Sequence, residues 1–104
     1  MLDYAREAVA MAHDRKRGDL DTDRMFELAL VRLVEIVGEA ATRIDAPTRA
    51  KIPALPWRDI CDTRNRIIHG YDQVNFDVLW EIVQDDLPPL ILALSTFLDV
   101  QPHR

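Results

Sequence analysis

Apolar residues recur every three or four positions along most of the chain, which is the spacing that puts them on one face of an α-helix. In the first segment, the basic run Arg15–Arg17 and then Gly18 are typical of a helix C-terminus. The sequence therefore predicts a first helix over about residues 2–16. Its apolar positions are Tyr4, Ala5, Ala8, Val9, Met11 and Ala12.

A second and longer segment is apolar on more than one face. Asp21 or Thr22 is expected to cap this helix, which extends to about Ile44. Burial on two sides explains such a pattern, so we expect the helix to pack against the core and also against a second protomer. The apolar positions are Met25, Phe26, Leu28, Leu30, Val31, Leu33, Val34, Ile36, Val37, Ala40, Ala41 and Ile44.

Prolines and turn residues divide the second half of the chain. The segment Asp45–Pro47 is expected to end the long helix, and Pro56 suits the first turn of a third helix that stops at Gly70. Asn75 is a predicted cap of a fourth helix. Pro88 and Pro89 must kink or interrupt that helix before an apolar segment continues to Val100.

The expected architecture is all-α, because no segment shows the period-two alternation of a strand. With 104 residues, 48% apolar and 30% charged, the chain has the composition of one globular domain. We predict a single domain over residues 1–104, a four-to-five-helix up-and-down bundle, with residues 101–104 as a flexible tail.

Charge and cysteine content narrow the possible functions. A net charge of -5 argues against a broad basic surface for nucleic acid, so any RNA contact must be local. Cys61 is the single cysteine, and the start of the chain lacks the features of a secretion signal. No apolar run approaches the roughly 20 residues that span a bilayer. These features predict a cytoplasmic protein without a membrane segment.

One short segment concentrates the residues that could carry chemistry. It contains Arg64, Asn65, Arg66, His69 and Tyr71, and Arg58 precedes it as a further basic residue. A metal-independent ribonuclease needs groups that move protons at the ribose 2'-hydroxyl and the leaving oxygen, and fixed positive charge for the phosphorane. Histidine exchanges protons near neutral pH, and arginine fits phosphate. The residue types match this chemistry.

Arg64 is followed after four residues by His69, and His69 after one residue by Tyr71. This spacing resembles the motif of HepT ribonuclease toxins in the HEPN superfamily. These toxins pair with a minimal nucleotidyltransferase. Further segments resemble the family in the same order, so that the likeness covers roughly residues 1–95. They are Ile36–Ala41, Ile52–Pro53, Pro56–Trp57, Tyr71–Val74, Leu79–Trp80 and Asp86–Pro88.

This resemblance implies a HEPN-type homodimer in which two copies of the motif face one cleft. It implies a toxin of a type II or type VII-like toxin–antitoxin pair that cleaves RNA without metal, with Arg64 and His69 as catalytic residues. Asn65, Arg66 and Glu39 are expected to support them. The partner nucleotidyltransferase would silence the toxin by adding AMP to Tyr71. No cofactor or metal is expected.

The spacing of Arg64 and His69 raises a geometric difficulty. Five residues correspond to about 140° around an ideal helix, so the two side chains do not share a face. Either the helix loosens before Gly70, or Arg64 acts across the dimer. Glu39 follows Gly38, a glycine in mid-helix that suggests close helix approach, and it is a candidate to orient Arg64 or another basic residue.

Structural roles compete with catalysis at each position. Arg64 falls on the apolar stripe of its helix, so it could be a buried cation paired with an acid such as Glu39. His69 could stabilise a helix end through the helix dipole. As whole-protein alternatives, the chain could be a non-catalytic nucleotide-binding or adaptor module for the nucleotidyltransferase, or a purely structural dimer.

Overall fold

The fold consists of helices that pack around one central helix, Arg24–Thr42. The structure, a computed structural model, describes residues 1–68 and 73–100. A π-helical turn, Ile82–Asp86, joins the last two α-helices without a break. The α-helices within the described residues are α1 (Leu2–Ala12), α2 (Asp19–Thr22), α3 (Arg24–Thr42), α4 (Ala46–Ala50), α5 (Trp57–Cys61), α6 (Thr63–Ile67), α7 (Phe76–Glu81) and α8 (Leu87–Val100).

The all-α class expected from the sequence is confirmed. Within residues 1–68 and 73–100 the only β-type pairing is an isolated bridge between Ile68 and Val74. The core draws mainly on α1, α3, α6, α7, the π-helical turn and α8. Its largest fully buried side chains belong to Leu30, Val34, Val37, Ile67, Leu79 and Val83. Among the described helices, none combines the length and the apolar character needed to cross a membrane.

The first helix is shorter than predicted. It ends at Ala12, because His13 is extended and Asp14 takes a positive φ of 62°. The basic residues expected in its last turn lie in the following loop, where Arg15 donates hydrogen bonds to Asp19 and Asp23. The basic run therefore follows the helix end, and Arg15 forms ion pairs across the turn instead.

The predicted second helix is in fact two. The caps expected at Asp21 or Thr22 were wrong, because both residues belong to α2, and Asp23 caps α3 by accepting a hydrogen bond from the Phe26 N–H at 3.1 Å. Hydrogen bonds from Arg15 and from Phe26 lower the pKa of Asp23. The cap is therefore charged at neutral pH, as the positive end of a helix dipole favours.

The break predicted at Asp45–Pro47 begins a new helix. The chain leaves α3 after Thr42, and Asp45 caps α4 by accepting a hydrogen bond from the Thr48 N–H at 2.9 Å. Pro47 occupies the first turn of α4, where its missing N–H has no intrahelical partner to lose.

Helix α3 lies at the centre of the fold. It packs against α1 and against both α5 and α6. The approach to α5 and α6 is close at Gly38, because a Cβ there would lie 3.0 Å from the Thr63 Cβ and 3.2 Å from the Ile60 carbonyl oxygen. The glycine expected to mark close helix approach does so.

The two prolines of the last helical stretch follow a π-helical turn. Asn75 caps α7 as predicted, accepting hydrogen bonds from the N–H groups of Asp77 and Val78. Pro88 and Pro89 lie in the first turn of α8, immediately after the turn Ile82–Asp86. A proline cannot donate a hydrogen bond to the carbonyl four residues earlier. The irregularity predicted at these prolines is the π-helical turn, and the helical path continues through it.

Candidate functional site

The motif segment lies on a short helix that ends before the predicted stop. The predicted third helix divides at Asp62 into α5 and α6, and α6 ends at Ile67. Ile68 is extended, with φ of -89° and ψ of 122°. Of the two explanations for the spacing of Arg64 and His69, the geometry up to Ile68 favours a helix that loosens before Gly70.

His69 and Tyr71 lie outside the described residues, as does the predicted helix stop Gly70. The chain on either side of them is held together, because Ile68 pairs with Val74 and the Asn75 N–H donates to the Ile67 carbonyl at 2.7 Å. The end of α6 and the start of α7 therefore meet at the base of the segment that carries both residues.

Arg64 presents its side chain to the surface. The side chain is 73% exposed, and its Nε lies 3.6 Å from Oε2 of Glu35 on α3. The alternative that Arg64 is a buried cation was therefore wrong. Its neighbouring carboxylate also differs from the one considered, because Glu39 lies 4.0 Å from Arg32. Among the described residues, Glu35 is the one carboxylate within 4.0 Å of Arg64, and an exposed guanidinium of this kind suits a phosphate.

The other two supporting candidates on α6 have separate partners. Arg66 donates a hydrogen bond to Asp86 of the π-helical turn at 3.0 Å, with its side chain only 29% exposed. Asn65 donates to Asp62 at 2.7 Å, at the start of its own helix. Residues 64 and 66 are about 200° apart around a helix, so the two arginines face different neighbours.

The predicted basic patch is distributed rather than continuous. Arg58 lines a polar depression with Arg49, Asp59 and Asp62. Each of the arginines expected in the patch has an acidic residue beside it, and Arg64 is the most exposed of those that form ion pairs. Arg58 is exposed as well, but of the two arginines on α6 it is Arg64 whose side chain is open to an anion.

Glu35 is the residue of this site that the sequence analysis missed. It lies on α3 one turn before Gly38, the glycine that marks the contact with the motif helix. Positions three apart share a helix face, whereas Glu39, adjacent to Gly38, lies about 100° away. The spacing relative to the glycine was therefore the signal that could have identified Glu35.

The described residues near α6 offer a guanidinium at the surface and no cluster of metal-ligating side chains. Nowhere in residues 1–68 and 73–100 do three or more His, Cys, Asp and Glu side chains form a group that could hold a metal ion. Arg64 offers a permanent positive charge at the surface, and its carboxylate neighbour is 19% exposed. Such a guanidinium can bind a phosphate group and stabilise added negative charge on it.

Comparison with protein families gives one match over most of the chain. The HepT-like family, described as "Ribonuclease HepT-like", matches residues 1–97. The matched region includes every described element up to the last turn of α8, and also the motif segment.

Individual relatives carry names of the same kind. A protein of Methanocaldococcus jannaschii, named as a candidate RNase, is 31% identical over 90 residues, which cover 86% of this chain and 83% of the relative. A protein of Thermococcus cleftensis named a probable ribonuclease HepT is 36% identical over 72 residues, covering 69% and 66% of the two chains. No solved structure matches the chain significantly.

Proposed function

Because the chain belongs to the HepT-like ribonuclease family, we propose that it is the toxin of a toxin–antitoxin pair, of type II or a type VII-like kind, and a metal-independent endoribonuclease. Its partner in this proposal is a minimal nucleotidyltransferase, and both proteins act in the cytoplasm. RNA is cleaved in a cleft between two protomers.

The observation that carries this proposal is the position of Arg64. Its guanidinium is exposed, it belongs to the matching motif, and it lies on the helix that leads directly into His69. Arg66 is held by Asp86 instead. A local cation of this kind suits one phosphate of an RNA chain. Such a local contact is what the net charge of -5 led us to expect in place of a broad basic surface.

The proposed chemistry divides between the two motif residues. The ribose 2'-hydroxyl loses its proton and its oxygen attacks the adjacent phosphorus, while the 5'-oxygen leaves and takes up a proton. The two His69 side chains of a dimer suit these transfers, because imidazole accepts and donates protons near pH 7. Arg64 stabilises the negative charge that develops on the phosphorane.

The test of this function is cleavage of single-stranded RNA by the purified protein in the presence of a chelator. We expect cleavage products that end in a 2',3'-cyclic phosphate, and cell toxicity when the protein is expressed without its partner. Cleavage that requires an added divalent cation would exclude the metal-independent mechanism. A protein that neither cleaves RNA nor harms cells would instead be the adaptor of the nucleotidyltransferase.

We predict that the protein is a homodimer whose interface includes the outer face of α3. This face exposes Met25, 82% exposed, and Leu28, 51% exposed, one turn apart. An interface of more than about 1,000 Å² in total is expected for a stable dimer. The substitution Leu28→Glu places a charge in that interface, and light scattering at micromolar concentration should then show a monomer.

The matched control is Leu92→Glu, which changes a leucine of α8 that is 69% exposed. This variant should remain a dimer, because Leu92 belongs to α8 and not to the proposed interface on α3. A wild-type protein that is monomeric at this concentration would contradict the prediction and the shared-cleft mechanism with it.

We predict that Tyr71 accepts AMP from the partner nucleotidyltransferase. The residue follows Gly70 just after the predicted end of the motif helix, where chains are typically accessible. Intact-mass measurement after co-expression with the partner should show added adenylate. Tyr71→Phe should abolish the added mass, and Tyr4→Phe, which changes a 42% exposed tyrosine of α1, should retain it. The same mass gain on Tyr71→Phe would place the modification elsewhere.

A further inference from the structure

Glu35 is a charged side chain in a largely buried position next to the motif helix. Its side chain is 19% exposed, whereas that of Arg64, its partner, is 73% exposed. The anchored member of this pair is therefore the carboxylate. A carboxylate held in a helix that contributes to the core is a fixed reference point for a long and mobile arginine side chain.

The helices that carry this pair, α3 and α6, pack closely against each other. Gly38, one turn after Glu35, meets Thr63, the residue before Arg64, so closely that a Cβ there would force the neighbouring atoms to shift. Thr63 is buried and its hydroxyl donates a hydrogen bond to the Ile60 carbonyl. The spacing between α3 and α6 is consequently set by close packing, and it keeps Glu35 within reach of Arg64.

The contact engages only part of the guanidinium. It joins Oε2 to Nε at 3.6 Å, longer than a hydrogen bond, so it is a charge attraction that restricts the side chain without clamping it. In the described part of the chain, Glu35 is the one carboxylate within 4.0 Å of Arg64. The two terminal Nη groups remain available to bind a phosphate in bidentate fashion.

We propose that Glu35 is a positioning residue that holds Arg64 with its terminal nitrogens directed to the scissile phosphate. This inference rests on the ribonuclease function proposed above. Glu35 does not contact the RNA, and it acts through Arg64 alone. Glu39, one turn further along α3 and 54% exposed, is paired with Arg32 and has no such role.

Glu35→Gln tests this role, because it removes the charge and keeps the size of the side chain. A reacting group displaced by about 1 Å can lose about 10²-fold in rate, so we expect kcat to fall by about 10- to 100-fold while KM changes little. The matched control is Glu7→Gln, which removes an exposed carboxylate of α1 and should retain the wild-type kcat. Thermal stability and dimer content are measured for both variants.

A second measurement reports on Arg64 directly. In a 12.0 kDa protein the arginine Nε–Hε groups are accessible to NMR, and the Arg64 signal is identified by its absence in Arg64→Lys. Glu35→Gln should shift this signal and accelerate its exchange with water, and Glu7→Gln should leave it unchanged. In the Arg64→Lys background, adding Glu35→Gln should lower kcat much less than it does in the wild type, because residues that act together are not additive.

The outcomes separate this inference from the function on which it rests. Loss of kcat together with the NMR change supports the positioning role. An unchanged Arg64 signal in Glu35→Gln overturns it, whether or not kcat falls, because a fall in rate alone would then have a structural origin. An unchanged kcat in an active enzyme overturns it as well. If the wild-type protein is inactive but the signal responds, the ion pair stands and the ribonuclease function fails.

Discussion

Replacing His69 by alanine is expected to lower metal-independent RNA cleavage by about 10²- to 10⁴-fold, the usual cost of losing a general acid or base. Helix α6 ends at Ile67 and Ile68 is extended, so removing the side chain that comes next in the sequence should cost little helix stability. The measurement compares purified wild type and His69→Ala on single-stranded RNA in chelator. Expression without the partner should also become harmless to cells.

Equal thermal stability of the two proteins is the control for this comparison. Equal cleavage by both would mean that a contaminating nuclease or another site is responsible. If neither protein cleaves RNA and the wild type is harmless in cells, the segment with Arg64 and His69 serves the partner nucleotidyltransferase as a binding or substrate element.

Replacing Arg64 by alanine should lower kcat by about 10²- to 10³-fold, the cost typical of removing one group that stabilises the charge of a transition state. On the sequence alone this experiment is ambiguous, because an arginine on an apolar stripe could also hold the fold. The 73% exposure of the side chain removes the ambiguity. Thermal unfolding of Arg64→Ala should therefore resemble that of the wild type.

Arg6→Ala provides the matched control for the change in charge. Arg6 is an exposed arginine of α1 whose side chain donates one surface hydrogen bond, to Ser95 of α8 at 2.9 Å. It should cleave RNA at the wild-type rate. An Arg64→Ala protein that is folded and fully active would remove Arg64 from the mechanism, and a strongly destabilised one would restore the structural role.

The two arginines of α6 have different carboxylate partners. Arg66 reaches Asp86 in the π-helical turn, so it fastens α6 to the stretch that ends in α8. Arg64, about 200° away around the helix, faces α3 and the surface. We infer that Arg64 contributes to phosphate binding and that Arg66 contributes to the position of the helix, which narrows the supporting role expected of Arg66.

The sequence alone determined the helical class and part of the boundaries. Helical periodicity and capping depend on residues within one or two turns, so the predicted cap at Asn75 is confirmed and the break near Asp45 is confirmed as the end of α3. The arginine–histidine–tyrosine motif is likewise local, and the family that it suggested is shown by the match over residues 1–97.

Only the tertiary structure decided where the motif arginines point and what they meet. The ends of α1 and α6 were misplaced, because the Arg15 ion pairs and the bridge between Ile68 and Val74 join residues that a local pattern treats separately. Glu35 and Glu39 lie one turn apart on α3, and it is the packing of α3 against α6 that brings Glu35 near Arg64 and leaves Glu39 near Arg32. Side-chain pairing between helices depends on the packing distance and rotation of both helices, which helical periodicity does not specify.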